Sequence, residues 1–255
     1  MQFLSEKFSL NGISSDSMGV ILITLDDDVL RDFGNIYNND LSVDANFNNT
    51  PFYSDNITKD KDMVLNIMLV EKDEITPAEW NVSTISMICD WLISDNFQPF
   101  ISYDNSNIIY YIKCTNIDKR FTNDMKGYLE CTFKIFDNNA YYRSNTFLNV
   151  VGSESINIVN VSDYDSEYKP VVKITNNDTS NIIISSNDRE MVISDLGVGD
   201  TIIIDNKMKT VADINGENKL SNCNREWISL YPGSNTLRVD GNCQVEIISE
   251  FPIRV

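Results

Sequence analysis

The sequence predicts a mainly β protein, all-β apart from one helix, and three observations carry that expectation. Apolar residues recur with period two along most of the chain, as in Leu129, Cys131, Phe133 and Ile135 against Glu130, Thr132 and Lys134. Such alternation puts one face of a strand in a core and the other in water. Turn-forming pairs separate the runs: Asn11-Gly12, Asn215-Gly216, Pro232-Gly233 and Asp240-Gly241. Only one stretch shows helical spacing.

Taken in order, Met63–Val70 is short and apolar on nearly both faces, which predicts a strand buried between layers. Trp80–Ser94 places Val82, Ile85, Cys89 and Leu92 on one face at helical spacing. Before it, Thr76 offers an N-cap, with Pro77 at the first helical position and Glu79 at the third. Asn107–Cys114 is rich in β-branched and aromatic residues and reads as a strand. The same grammar recurs at Val171–Thr175, Ile182–Ser186, Thr201–Asp205, Leu237–Val239 and Val245–Ile248. Helical spacing stops after the first half, which predicts domains over 1–145 and 146–255. The polar run Asn38–Asp62 has no clear period and reads as a loop or an extended hairpin.

Composition excludes several function classes. Histidine is absent, which removes Ser-His-Asp and Cys-His catalysis and imidazole metal ligands together. The five cysteines, at 89, 114, 131, 223 and 243, form no Cys-x-x-Cys pair and read as reduced thiols. Net charge is −18, from 20 basic and 38 acidic residues. Residues 1–145 hold 11 basic and 22 acidic side chains, and the remainder 9 and 16, so both halves are acidic. Neither offers the basic footprint of a nucleic-acid binder, and anionic lipid would not attract them. No stretch approaches the roughly 18 apolar residues of a membrane span. The first ten residues lack a signal peptide's apolar run, which predicts synthesis in a cytoplasm.

Carboxylates are the one catalytic inventory present in quantity, but pairs among 38 of them carry little information about a glycosidase cleft. Asp163, Asp165 and Glu167 open like a calcium loop, yet Tyr168 stands where that loop needs glycine and Ile174 where it needs a bidentate Glu. A solvated linker is the preferred reading. The expectation is therefore no catalytic residue, no metal ligand and no cofactor.

Two stretches resemble a known family. Phe8–Val20 (FSLNGISSDSMGV) is similar to the opening of siphophage distal tail (Dit) proteins, where a strand enters an Asn-Gly-x-Ser-Ser turn and a second strand follows. There Asn11-Gly12 supplies the positive φ of a tight turn, and Gly19 is expected to let the second strand approach closely. Leu196–Asp205, then Trp227–Leu237 with its Leu-Tyr-Pro-Gly-Ser-Asn turn, resemble the C-terminal galectin-like sandwich of the same proteins.

The resemblance implies a structural virion protein and not an enzyme. It would form a homohexameric ring at the distal end of the tail, with a ring-forming first domain and an outward-projecting second. Its partners would be copies of itself, the tail tube protein, the tail-associated (Tal-type) hub protein and a receptor-binding protein, without nucleic-acid binding or membrane insertion. Six copies would carry 6 × −18 = −108 formal charges, and a lumen lined by part of that would repel passing DNA.

Expected interface residues are Asn11 and Gly12 in the first hairpin. Phe47, Phe52 and Tyr53 join them as apolar tips of an arm within Asn38–Asp62. The alternative is a carbohydrate-binding module recognising host-surface glycans, with Trp227 as the sugar platform. Its position just before a strand favours a packed anchor instead. A carboxylate-based wall hydrolase is a third class.

Overall fold

The computed structural model describes residues 3–25, 41–44, 52–55, 62–71, 73, 76–178, 181–187 and 189–254, with backbone alone at 41–44 and 52–55. Strands dominate, and contacts divide the chain into two compact units, 1–140 with the last two residues and 141–253.

In the first unit β1 (Phe8–Leu10) turns at Asn11 (φ 52°) and Gly12 (φ 77°) into β2 (Ile13–Ser14). Positive φ at both positions is the two-residue hairpin geometry the Asn-Gly pair favours. A single helical turn follows, α1 (Ser15–Met18), capped by the Ser14 hydroxyl, which accepts from the Asp16 N–H at 3.2 Å. Gly19 ends it in the left-handed region (φ 68°) and donates its N–H to the Asp16 carbonyl at 3.1 Å. The glycine is thus there for a helix stop, not for the close strand approach expected of it; a Cβ there would find only the tip of Leu69, at 4.0 Å.

β3 (Val20–Ile23) pairs antiparallel with β6 (Asp62–Leu69), and β6 with the start of β9 (Gly127–Asn160), Leu65 facing Cys131. Along β6 Met63, Leu65, Ile67 and Leu69 are buried while Val64 is 48% exposed. The strand is covered on one face, not both, because α2 and the neighbouring strands supply a single apolar layer. β4 (Leu41–Asp44) and β5 (Phe52–Asp55) form a separate antiparallel pair, Asp44 opposite Phe52. β7 (Gln98–Ser102) joins β1 to β8 (Ile108–Phe121), which neighbours β9.

The helix α2 spans Val82–Leu92. Its cap is Asn81, whose side-chain oxygen accepts from the Thr84 N–H at 2.8 Å, and not Thr76, whose N–H donates to the Asp73 carboxylate at 2.9 Å. Pro77 is bridged to Val70, so the chain before residue 81 is tied to the sheet and cannot helicalise. The buried face carries Ile85, Ile88, Trp91 and Leu92, while Val82 is 84% exposed, a rotation from the expected stripe. Fully burying Ile88 contributes about 1.5–3 kcal/mol, and the indole of Trp91 stacks on Phe8 at 5.5 Å.

The second unit is a β-sandwich. One layer orders β14 (Thr210–Asp213), β13 (Thr201–Asp205), β10 (Val171–Asn176) and β15 (Gly233–Arg254). The other orders β12 (Arg189–Ile193), β11 (Ile182–Ser186) and β15 again. β15 serves both: Leu237–Asp240 pairs with β11 and Cys243–Ile248 with β10. The Asp240-Gly241 pair expected as a turn lies inside this strand. Gly241 (φ 136°) fits there because a Cβ would sit 3.3 Å from the Asn181 carbonyl. Ile174, Ile204, Val245 and Ile247 from one layer meet Ile184, Met191, Leu237 and Val239 from the other in one core.

The outer edges of both layers are covered. Asn224 accepts the Val192 N–H on its side-chain oxygen at 3.1 Å and donates to the Glu190 carbonyl at 2.9 Å, lying along β12. Along β14, Asp213 N–H donates to Glu217 O at 3.0 Å and Lys219 N–H to Val211 O at 2.8 Å.

β9 passes from one unit to the other and changes parity on the way. Leu129, Cys131, Phe133 and Ile135 are buried, then Asp137 and Asn138 take positive φ (51° and 54°). Beyond them the buried residues are even-numbered: Ala140, Val150, Ile158 and Asn160.

Candidate assembly surfaces

The first hairpin is held from behind. The indole N–H of Trp91 donates to the Leu10 carbonyl at 3.3 Å, Asn11 N–H donates to Pro99 O at 2.9 Å, and Phe8 N–H donates to the buried Ser15 hydroxyl at 3.2 Å. Lys7 and Asp16 pair across it at 3.1 Å. This anchoring leaves Asn11 and Gly12 exposed, with Ile13 at 43% beside them. The structure therefore presents a rigid polar tip with one apolar side chain.

Of the expected arm, Phe47 lies outside the described residues. Phe52 and Tyr53 fall on β5, whose backbone pairing is described and whose side chains are not. The two strands have the antiparallel register of a hairpin.

Trp227 sits half-buried against the core of the second unit, and its carbonyl accepts from Arg189 at 3.1 Å. The adjoining Ile228 and Leu230 are fully buried, so the segment is pinned. Apolar surface is found elsewhere: on β9, Phe147 and Val151 are 69% and 80% exposed.

The titratable groups are arranged for structure. Asp213 is held below the usual carboxylate range by the N–H of Glu217, then Asn215 and Lys219. Asp240 is held down by Ser153 and Arg238. Burial pushes the Cys131 thiol far up and Cys243 up to about 11, and all five cysteines are free. Glu167, third acid of the calcium-like run, pairs with Arg189 at 3.4 Å, and the Asp163 N–H donates to Pro252 O. Among the described residues no group of three or more Cys, Asp or Glu could hold a metal ion, and no helix is long and apolar enough to cross a membrane.

One convergence was illegible in the sequence because it joins three distant segments. Asn206 is fully buried in the turn after β13. Its amide nitrogen donates to Pro170 O at 2.7 Å and its amide oxygen accepts from Ile228 N–H at 2.8 Å. Segments 169–170, 206–209 and 225–228 are thereby tied at one corner.

Two family descriptions match the chain in order: a phage tail protein N-terminal domain over residues 3–135 and a phage tail C-terminal domain over 140–249. The chain is 24% identical over 173 residues to the SPbeta prophage-derived protein YomH of Bacillus subtilis (strain 168), covering 64% of this chain and 67% of that one. In fold it resembles the Dit protein (gp 19.1) of phage SPP1, with a TM-score of 0.57 and 10% identity over 96% of this chain and 98% of that one. It also resembles a chain of the phage P2 baseplate in its activated conformation with calcium, with a TM-score of 0.51 and 10% identity, covering 95% and 97%.

Proposed function

Since the chain belongs to a family of phage tail proteins, we propose that it is a structural component of the tail hub, the distal-tail subunit, and assembles as a hexameric ring. The first unit, through the Asn11–Gly12 tip and the β4–β5 hairpin, contacts neighbouring copies. The ring joins the tail tube above to a tail-associated protein below, and the second unit projects outward to carry receptor-binding proteins. The role is architectural, without catalysis, at the distal end of the tail.

The observation that carries this reading is the match over essentially the whole length of the SPP1 hub protein, together with both tail-domain descriptions in the same order. The anchored first hairpin offers an exposed tip for contacts with neighbouring copies. The sugar-module alternative needs an open aromatic face, whereas Trp227 is packed half-buried on the core.

Light scattering across a concentration series tests the ring. The subunit mass is 29.1 kDa, so a hexamer weighs 6 × 29.1 = 174.6 kDa. A species of that mass, lost on deletion of residues 45–51, supports the ring and its arm. A monomer at every concentration, with or without the purified tube protein, overturns it.

A further inference from the structure

The second unit holds nine cations, and their pairing is uneven. Arg143, Lys173, Arg189, Lys219 and Arg238 each form an ion pair within the unit. The other four, Lys169, Lys207, Lys209 and Arg225, pair with no described residue. All four lie on the three segments that Asn206 ties together: Lys169 precedes Pro170, Lys207 and Lys209 follow Asn206, and Arg225 stands three residues before Ile228.

The corner is preorganised. The Asp205 carboxylate accepts the N–H groups of Lys207 and Met208 at 2.9 and 2.8 Å, which fixes the turn. At its tip Met208 is 68% exposed between the two lysines. Counting the neighbouring acids Asp205, Glu226 and Glu167, and Arg189 that pairs with Glu167, the corner is 5 − 3 = +2 on a chain of −18. At cellular salt the Debye length is about 8 Å, so a partner touching the corner feels these charges more than the distant acids.

We infer that the Lys169–Lys207–Lys209–Arg225 corner is the docking surface of the second unit for an acidic protein partner. Unpaired cations leave charge complementarity unspent within the chain, and an acidic surface supplies it. The exposed thioether argues for a polypeptide over a glycan, because methionine and arginine are enriched in protein interfaces and methionine adapts to apolar pockets. The inference rests on the hub reading for the origin of the partner, a protein carried on the projecting unit.

The test uses the full-length protein and fluorescein-labelled poly-L-glutamate, read by anisotropy at roughly 0.15 M salt. The wild type binds, and Lys207→Glu/Lys209→Glu weakens binding about ten-fold, with a further loss on adding Arg225→Glu. Lys126→Glu, an exposed cation of the first unit, leaves binding unchanged, and thermal melts confirm that each variant is folded. Absence of wild-type binding, or equal binding by the charge-reversed variants, overturns the inference. Tighter binding of polygalacturonate with the same variant dependence also overturns it, in favour of an anionic polysaccharide. Light scattering reads the ring separately: corner variants keep the wild-type mass, and a wild-type monomer that binds poly-L-glutamate sinks the ring while the corner stands.

Discussion

The indole N–H of Trp80 donates to the carbonyl oxygen of Gly127 at 3.0 Å, joining the approach to the helix to the first residue of β9. Gly127 has φ 150°, and a Cβ there would lie 2.0 Å from the Arg120 carbonyl oxygen. The two residues fix one another: the glycine lets β8 and β9 close, and the indole satisfies the carbonyl thus presented. Trp80 is 1% exposed and stacks on Phe121 at 5.5 Å, so the bond sits beside apolar packing.

Gly127→Ala is therefore expected to cost more than about 3 kcal/mol, since backbone must move to admit the methyl group. Gly216→Ala, at φ 83° with open space around it, should cost only about 1 kcal/mol from the left-handed conformation. Urea unfolding of the two variants side by side checks the contrast. Equal losses would mean that crowding at Gly127 is not limiting.

Asn206→Ala removes an acceptor from the buried Ile228 N–H and a donor from Pro170 O. Pro170 O keeps the backbone N–H of residue 206 at 3.4 Å, so the buried Ile228 N–H is the group left unpaired, at a cost of about 1–3 kcal/mol, and the melting temperature should fall by a few degrees. Differential scanning calorimetry measures it, and an unchanged midpoint would remove Asn206 as the tie of the corner.

At the helix, Asn81→Ala should cost about 1 kcal/mol, the usual loss for an N-cap. Thr76→Ala should cost less, because it removes only the exposed Thr76 hydroxyl bond to Asp73 and keeps the backbone one. Denaturant midpoints for the two decide which residue caps α2.

Burial, with the Asp104 carboxylate nearby, pushes Tyr110 from 10 up to about 12. The unfolded chain ionises near pH 10 while the folded phenol keeps its proton, so the contribution is whole below pH 10 and is lost as pH rises to about 12. After allowance for partial exposure the loss is about 1–2 kcal/mol. Tyr110→Phe should flatten stability against pH in that window. A wild-type curve already flat there would contradict the assignment.

How much was legible depended on how local the cause was. Ile182–Ser186 and Thr201–Asp205 match their strands residue for residue, since alternation and flanking turns are written within a few positions. The helix was visible as a period, but its start was set by the Val70–Pro77 bridge, a contact no local window contains. Asp240-Gly241 carries turn chemistry yet lies within a continuous strand, because β11 and β10 claim the residues on either side. The parity change at Asp137–Asn138 left no mark in composition, as asparagine and aspartate tolerate positive φ in many contexts. Asn11 and Gly12 were readable as a turn, whereas the four unpaired cations stand up to 56 residues apart, on segments joined by Asn206 and by the Tyr168–Leu230 bridge.

The covering of β12 by Asn224 and of β14 by residues 217–219 bears on the fate of a subunit before it finds its place. An open strand edge is a template that any other open edge can zip onto, without regard to identity. With the outer edges of β12 and β14 occupied by their own chain, crowded subunits have no open ladder to zip onto at those two strands. Recognition along those strands falls to side chains, which can be selective where a backbone ladder is not.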